Sequence, residues 1–406
     1  MPESPYPMLP VSEAKAIILR EISPLPPVTV PFTAAYGLVL AEDVAADAPI
    51  PEYPTATVDG FAVRAADSGA RKIVGAQMAG DFAAVRVGAG EAARVTTGAP
   101  IPAGADAMVM IEDTIERDGM VEITAPVSAG DNIRPVGNDV SAGQVVLPAG
   151  TILHPPEIGL LATLGKTAVR VFPRPKVGIM STGDELVEPH EPLSPGKIRD
   201  ANRFTLMGVV RETGGEPVDF GMVRDEPGGL AALVERALPQ VDMLLTSGGV
   251  SMGQRDFVKP YIAEHGTLFV GRVNAKPGKP VTFGVVQGKP FFALPGNPVS
   301  ALVGFENMVR PALLKMMGHT RLERPRRRVI LEHDIRHSPD RVEFQRAVVT
   351  FDAASGTYRA RNTGGQGSAR LLSLHGANAL LVLPDGQSEF PVGSTVEAIL
   401  LTEVGD

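Results

Sequence analysis

From residue 176 to residue 317, this 406-residue chain alternates short apolar runs with segments of helical period, and that alternation restricts its fold more than any other feature. Residues 176–180 read as a buried strand, 200–213 as a helix ending at Gly214-Gly215, 218–223 as a second strand and 228–238 as a second helix. Residues 241–246 make a third strand, 255–265 another helix, and the stretch after Pro298 stays helical to Met317. Strands that alternate with helices imply a parallel sheet with crossover helices, because parallel neighbours cannot be joined by a tight turn. Such sheets bind ligands beyond the carboxyl ends of their strands.

The turns at those ends carry the chemistry. Thr246-Ser-Gly-Gly-Val-Ser-Met-Gly253, Lys276-Pro-Gly-Lys-Pro280 and Pro295-Gly-Asn-Pro-Val-Ser300 lie close together in the chain, each beside an apolar run. Glycines let backbone N–H groups approach a ligand, and prolines fix the turn so that those groups stay aimed. The Ser247-Gly-Gly-Val-Ser251 turn is either an anion nest leading into a helix N-terminus or a glycine turn needed for close strand–helix packing. It is neither a Walker loop nor a dinucleotide fingerprint. Lys276 and Lys279 add positive charge on a proline-fixed loop, which suits an oxyanion. The acids Asp184, Glu185, Asp225 and Asp256 each fall at the end of a strand or in the turn after it. Taken singly, each reads as a helix cap or a loop acid. Together they suit a hard cation such as Mg2+ shared with substrate phosphates.

The rest of the chain has a different texture. Its length exceeds one ordinary core, so roughly two to four domains are expected. Residues 12–22 read as an amphipathic helix capped by Ser12, with Ala14, Ile17, Ile18 and Ile22 as its apolar stripe. From Val28 to Leu153, short strands separated by Gly, Pro, Asp and Asn favour small β domains. Residues 157–164 form a helical link ending at Gly165, and another small β domain follows the basic run around Arg324–Arg328, itself a solvated linker. The seven histidines show no metal-binding spacing.

Composition excludes several functions. A net charge of −8 argues against a general nucleic-acid binder, so any anion site is a local basic pocket. The absence of cysteine excludes a disulfide framework, cysteine-ligated zinc, iron–sulfur clusters and thiol catalysis. No apolar run reaches membrane-spanning length, and Met1-Pro-Glu-Ser-Pro5 lacks a basic, then apolar leader. A cytoplasmic protein with no nucleic-acid or membrane partner is expected.

The three turns, in this order and spacing, resemble the MoeA family, to which the gephyrin E domain and its plant counterparts belong. The resemblance extends through Val58-Asp-Gly-Phe-Ala-Val63, Thr97-Gly-Ala-Pro-Ile-Pro-Ala-Gly-Ala-Asp106 and Asn132-Ile-Arg-Pro-Val-Gly-Asn-Asp139. It continues in Ser181-Thr-Gly-Asp-Glu-Leu186, Phe344-Gln-Arg346 and Gly365-Gln-Gly-Ser368, and so covers nearly the whole chain. The resemblance implies a molybdopterin molybdotransferase that takes adenylylated molybdopterin and molybdate and releases molybdenum cofactor and AMP in a Mg2+-dependent step. It implies a homodimer with transient contacts to a molybdopterin adenylyltransferase and to acceptor molybdoenzymes. The implied fold is multidomain α/β plus β. A three-layer, molybdopterin-binding α/β domain at 174–320 has a parallel-type sheet. It is flanked by a linker domain at 1–45 and 146–173, an inserted β domain at 46–145 and a barrel-like β domain at 321–406.

Carried over by position, the resemblance implies catalytic parts for Asp59, Thr97, Asp139, Glu185, Asp225, Asp256 and Lys276, with Asp225 and Asp256 on the metal. It implies substrate contacts for Arg134, Ser247, Gly248, Gly249, Ser251, Arg272, Lys279, Pro295, Pro298, Ser300, Arg346 and Ser368. Asp59, Thr97, Arg134 and Asp139 match positions contributed across a dimer cleft. Three departures stand out: Pro54-Thr-Ala-Thr-Val58 replaces an Asn-Ser-Ala-Met-type segment, Gln254 stands where an acid is frequent, and Arg272 where a lysine can occur. Two other readings remain open, a non-catalytic molybdopterin-binding scaffold and a CinA-like nucleotide pyrophosphate hydrolase. The intact acids argue against the first, and the Arg346 and Ser368 motifs in a separate C-terminal domain against the second.

Overall fold

The computed structural model describes residues 6–81, 84–224, 228–250 and 257–404. The chain divides into two compact units, one formed by residues 1–41, 152–154 and 168–406, the other by residues 42–151 and 155–167.

In the first unit the alternating segments build a six-stranded sheet in the order Glu216–Val223, Lys176–Thr182, Met243–Ser247, Lys289–Leu294, Thr282–Val286, Gly266–Val270. The first four strands run parallel, as the alternation requires. The last two each run antiparallel to the preceding neighbour, so the sheet is mixed rather than wholly parallel. The reason is a tight hairpin at Gln287-Gly288, where both residues adopt positive φ (49° and 77°). That backbone matches the twist of paired antiparallel strands, and it needs a Gly or a tolerant residue at each position.

Period-two alternation sorts the strand side chains onto two faces. Val177, Ile179, Met243, Leu245, Phe292 and Leu294 pack in one core with Ala14 and Ile18 of the helix Val11–Glu21 and with Leu206 and Val210 of the helix Asn202–Thr213. Met180, Leu244, Phe291 and Ala293 pack in another core with the helices Gly229–Ala237 and Val258–His265. The result is a three-layer α/β domain. Ser12 does not cap the first helix: Pro10 holds that position and no side chain caps it. The helix after Pro298 runs from Pro298 to Met316 through a π-helical segment, Phe305–Val309.

The C-terminal strands pair in the order Val342–Asp352, Thr357–Asn362, Arg326–Leu331, Thr395–Leu400, Ala379–Leu383. The last strand also pairs with the first, which closes the sheet into a barrel around Ala347, Val349, Leu381 and Leu383. Ala275–Lys276 adds a short parallel pairing onto Val342–Glu343, so the second of the three turns is anchored to the barrel by its backbone.

The second unit holds a six-stranded sheet in the order Ala107–Met110, Gly60–Val63, Glu91–Val95, Arg71–Gln77, Met120–Ile123, Thr114–Arg117. A short ladder pairs Thr55–Ala56 with Ile133–Arg134. Its two small cores centre on Phe61 and on Met108.

Candidate functional site

The three parallel strands Lys176–Thr182, Met243–Ser247 and Lys289–Leu294 end beside one cavity of about 430 Å3. Thr182, Gly183 and Glu185 line it, with Ile198, Gly248, Gly249 and Val250, then Pro280, Pro295, Gly296 and Asn297. Residues from all three turns meet there. A larger cavity, of about 580 Å3, lies beside Lys15, Arg326 and Phe344, but none of the sequence-predicted site residues lines it.

Gly248 and Gly249 adopt φ of 92° and 68°, and a Cβ on them would fall 2.3 Å from the Thr182 carbonyl oxygen and 2.8 Å from its Oγ1. Close packing therefore demands both glycines, as the plain packing reading expects. The same contact presents the turn to the cavity, so the two readings coexist. Thr182 is buried, and its hydroxyl has no hydrogen-bond partner among the described residues. Gly248 N–H donates to the Leu294 carbonyl at 2.9 Å, and a Cβ on Gly296 would sit 3.8 Å from Gly248 Cα. The first and third turns abut.

A residue that sequence reasoning missed ties them together. Asn202, at the start of its helix, donates from Nδ2 to Ser247 Oγ and to the Gly296 carbonyl, both at 2.7 Å. Its neighbour Arg203 is buried among three carboxylates, with Nε 3.0 Å from Asp200, Nη1 2.7 Å from Asp219 and Nη2 2.6 Å from Glu188. Burial works against the Arg203 charge, yet the bonds to Asp219 and Asp200 raise its pKa above the ordinary value. Burial pushes the Asp219 carboxyl up, but Arg203 and the Gly221 N–H outweigh it and hold the group below the usual aspartate range. The first turn of this helix thus braces the loop from Glu188 to Asp200 and both glycine turns.

The expected cations divide by environment. Lys276 Nζ donates to Glu343 Oε2 at 3.0 Å and stays partly exposed. The ammonium of Lys279 makes no ion pair with a described residue, and its carbonyl accepts from Val273 N–H at 2.9 Å. Among the described residues Arg272 reaches only the Tyr6 carbonyl, at 3.5 Å. Arg346 is fully buried; it donates to Ser373 Oγ at 3.0 Å and to the Gly367 carbonyl at 3.3 Å. Burial pulls the Arg346 pKa down, against the opposing charge of Glu343. Its Nη1 has no partner among the described residues. Arg346 braces the loop that carries Ser368, whose Oγ accepts from Asn297 Nδ2 and whose carbonyl accepts from Val299 N–H, both at 3.0 Å. Pro298 and the buried Ser300 begin the following helix.

Glu185 is the expected acid that lines the cavity. Asp225, Ser251 and Asp256 lie outside the described residues. Their described neighbours Arg224, Val250 and Phe257 stay close to the site: Arg224 and Phe257 line a small space with Thr182 and Gly249, and Val250 lines the main cavity. Among the described residues no three His, Asp or Glu side chains converge on a metal position.

In the second unit, Asp59 accepts from the Thr97 N–H at 2.7 Å and from its hydroxyl at 3.0 Å, the backbone bond being the larger cause that holds the Asp59 carboxyl low. Arg134 is ion-paired to Asp139. These segments are neighbours, since Arg134 pairs with Thr55 and the Gly98 N–H donates to the Ala56 carbonyl at 2.8 Å.

Comparison with known proteins adds an independent line. Residues 9–165 match the model of the MoeA N-terminal region (domains I and II), residues 178–315 that of a probable molybdopterin binding domain, and residues 328–401 that of the MoeA C-terminal region (domain IV). The chain is 34% identical to a molybdopterin molybdenumtransferase of Haemophilus influenzae, over 96% of this chain and 98% of that protein. It is 37% identical to molybdopterin molybdenumtransferase 2 of Mycobacterium tuberculosis, over 97% and 99%. It is 35% identical to gephyrin of Dictyostelium discoideum, and spans 64% of that longer protein's length. Its structure is similar to the crystal structure of the molybdopterin biosynthesis MoeA protein of Pyrococcus horikoshii, with a TM-score of 0.84 and 32% identity over 98% of this chain and all of that one.

Proposed function

The chain belongs to the MoeA family, and on that premise we propose that it is a molybdopterin molybdenumtransferase acting in molybdenum cofactor biosynthesis. The observation that carries the reading is the meeting of all three glycine–proline turns at one cavity, in the part of the chain matched to a molybdopterin binding domain. A cavity of about 430 Å3 lies within the usual range for small-molecule sites.

In the finer reading the substrates are adenylylated molybdopterin and molybdate, and the products are molybdenum cofactor and AMP. With the Gly248 N–H given to the Leu294 carbonyl, the Gly249 N–H of that turn would be the backbone donor to a phosphate, and Asn202 would keep the turn against Gly296. Molybdate is a dianion near neutral pH, so it needs cationic and hydroxyl donors; Lys276, Lys279 and Ser300 would supply those types, and Pro280, next to Lys279 in the chain, lines the cavity with the third turn. Arg346 acts in this reading by bracing the Ser368 loop, its buried Nη1 being without a partner among the described residues. A water attacks the AMP phosphorus, or a molybdate oxygen does so and water then splits the resulting anhydride; in either case the bridging P–O bond breaks, its electron pair leaves on the molybdopterin phosphate, and AMP carries away the added oxygen. No protein nucleophile is required.

A magnesium ion would depend on Asp225 and Asp256, with Glu185 nearby in sequence to the first strand end; when bound, it would polarise phosphate oxygens. Asp59, Thr97, Arg134 and Asp139 would serve the site of a partner subunit in a homodimer. The four-domain division at residues 45, 145, 173 and 320, a cytoplasmic location, and contacts with an adenylyltransferase and with molybdoenzymes belong to the same proposal.

The test is AMP release from adenylylated molybdopterin. Molybdate, but not phosphate, is expected to stimulate it; equal rates with and without molybdate would overturn the reading in favour of a hydrolase or a scaffold.

A further inference from the structure

We propose that Glu343 is a positioning residue that aims Lys276 at the oxyanion. The inference rests on the reading of Lys276 given above and assigns a part to a barrel residue that the motifs never singled out. Glu343 lies on the same strand face as Ala347 and Val349, which fill the barrel, and only 3% of it is exposed. A carboxylate in such a place is costly unless it is paired. Lys276 supplies the pairing at 3.0 Å, and the backbone pairing of Lys276 with Glu343 holds the two residues in register. His337, whose side chain is fully buried, places Nδ1 3.4 Å from the same Glu343 oxygen.

Stability does not explain the arrangement well. Replacing a buried ion pair with apolar residues of similar size is often neutral or stabilising, so the pair is weak support for a purely structural part. Its geometry suggests a different use. An ammonium carries three donors, and Glu343 takes the one hydrogen bond described for Lys276. Two N–H groups remain for a tetrahedral oxyanion, and the lysine stem no longer wanders. The ladder pairing of Lys276 with Glu343 keeps the two residues side by side.

The direction of the effect separates this role from simple electrostatics. Glu343→Gln removes a negative charge from beside an anion site, which on charge alone would tighten molybdate binding. Positioning predicts the opposite: about a tenfold rise in the KM for molybdate, the order expected for loosening one charge-assisted hydrogen bond, with kcat changed less. The full-length enzyme is compared as wild type, Glu343→Gln, Lys276→Met and the double variant, with molybdate affinity by equilibrium dialysis alongside kinetics. In the Lys276→Met background the Glu343 change is expected to have no further effect on molybdate affinity. Unchanged or tighter molybdate binding in Glu343→Gln, with Lys276→Met weakened, overturns the positioning role. Unchanged binding in Lys276→Met instead overturns the oxyanion reading of that lysine. If Glu343→Gln fails to fold, Glu343→Asp carries the same comparison, with a shorter reach expected to raise the KM in the same direction.

Discussion

Asn202 makes two hydrogen bonds from one amide nitrogen, to Ser247 and to Gly296, so a single truncation releases both glycine turns. Asn202→Ala is expected to destabilise the protein by about 1–3 kcal/mol, the usual cost of leaving buried polar groups unpaired. It is also expected to raise the KM for the adenylylated pterin. Urea unfolding and steady-state kinetics check the pair of effects, and wild-type values in both would contradict the bracing role. The residue was illegible in the sequence because its partners lie 45 and 94 positions further on, and an Asn in the first turn of a helix carries no local sign of them. Gly248 and Gly249 were legible for the opposite reason. Their positive φ and their contact with Thr182 admit no side chain, so the local sequence had to declare the turn. Lys276 falls between: its loop was recognised, but its Glu343 partner, 67 positions on, was not.

At the scale of elements, the helix Asn202–Thr213 sets its first turn against three acids through Arg203. Asp200 is the demanding partner, since its side chain is 1% exposed while those of Glu188 and Asp219 are 29% and 35% exposed. Loss of Arg203 would strand that buried charge, at a cost of about 3–5 kcal/mol. The cluster also sets an acid limit. The Asp219 carboxyl is held below its ordinary value of 3.8 in the folded state, so the unfolded chain takes up the proton first as pH falls. The stabilisation is complete above the unfolded pKa and is lost as pH falls through the lowered folded value. Asp219→Asn is therefore expected to be less stable at pH 7 and to lose stability less steeply below about pH 4, measured by chemical denaturation across a pH series. An unchanged acid slope would contradict the ion-pair role.

The strand–helix alternation from Lys176 to Met316 was readable because each element carries its own period. Helix and strand limits shifted by one to three residues, as local signals allow. The antiparallel extension was not readable: Gln287-Gly288 is a weaker hairpin signal than Asn-Gly, and a short apolar run does not declare its direction. Barrel closure was equally silent, since the pairing of Val342–Asp352 with Ala379–Leu383 is a long-range choice that no local pattern encodes.

For the molecule as a whole, a chain of net charge −8 must concentrate positive charge locally if it is to hold the two anions proposed as its substrates. Most of that charge is already engaged: Lys276 by Glu343, Arg346 inside the barrel wall and Arg203 by its three acids. The cations are thereby oriented rather than massed, which favours selection of an anion by geometry over attraction by net field. The pairs Asp59–Thr97 and Arg134–Asp139 are likewise preset within the second unit. A crystal of the protein soaked with molybdate and AMP tests this directly. Molybdate is expected about 3 Å from the Lys276 or Lys279 ammonium and beside the Pro295–Ser300 turn, with AMP phosphate at Gly248-Gly249. Molybdate bound away from all three turns, with the turns empty at saturating ligand, would contradict it.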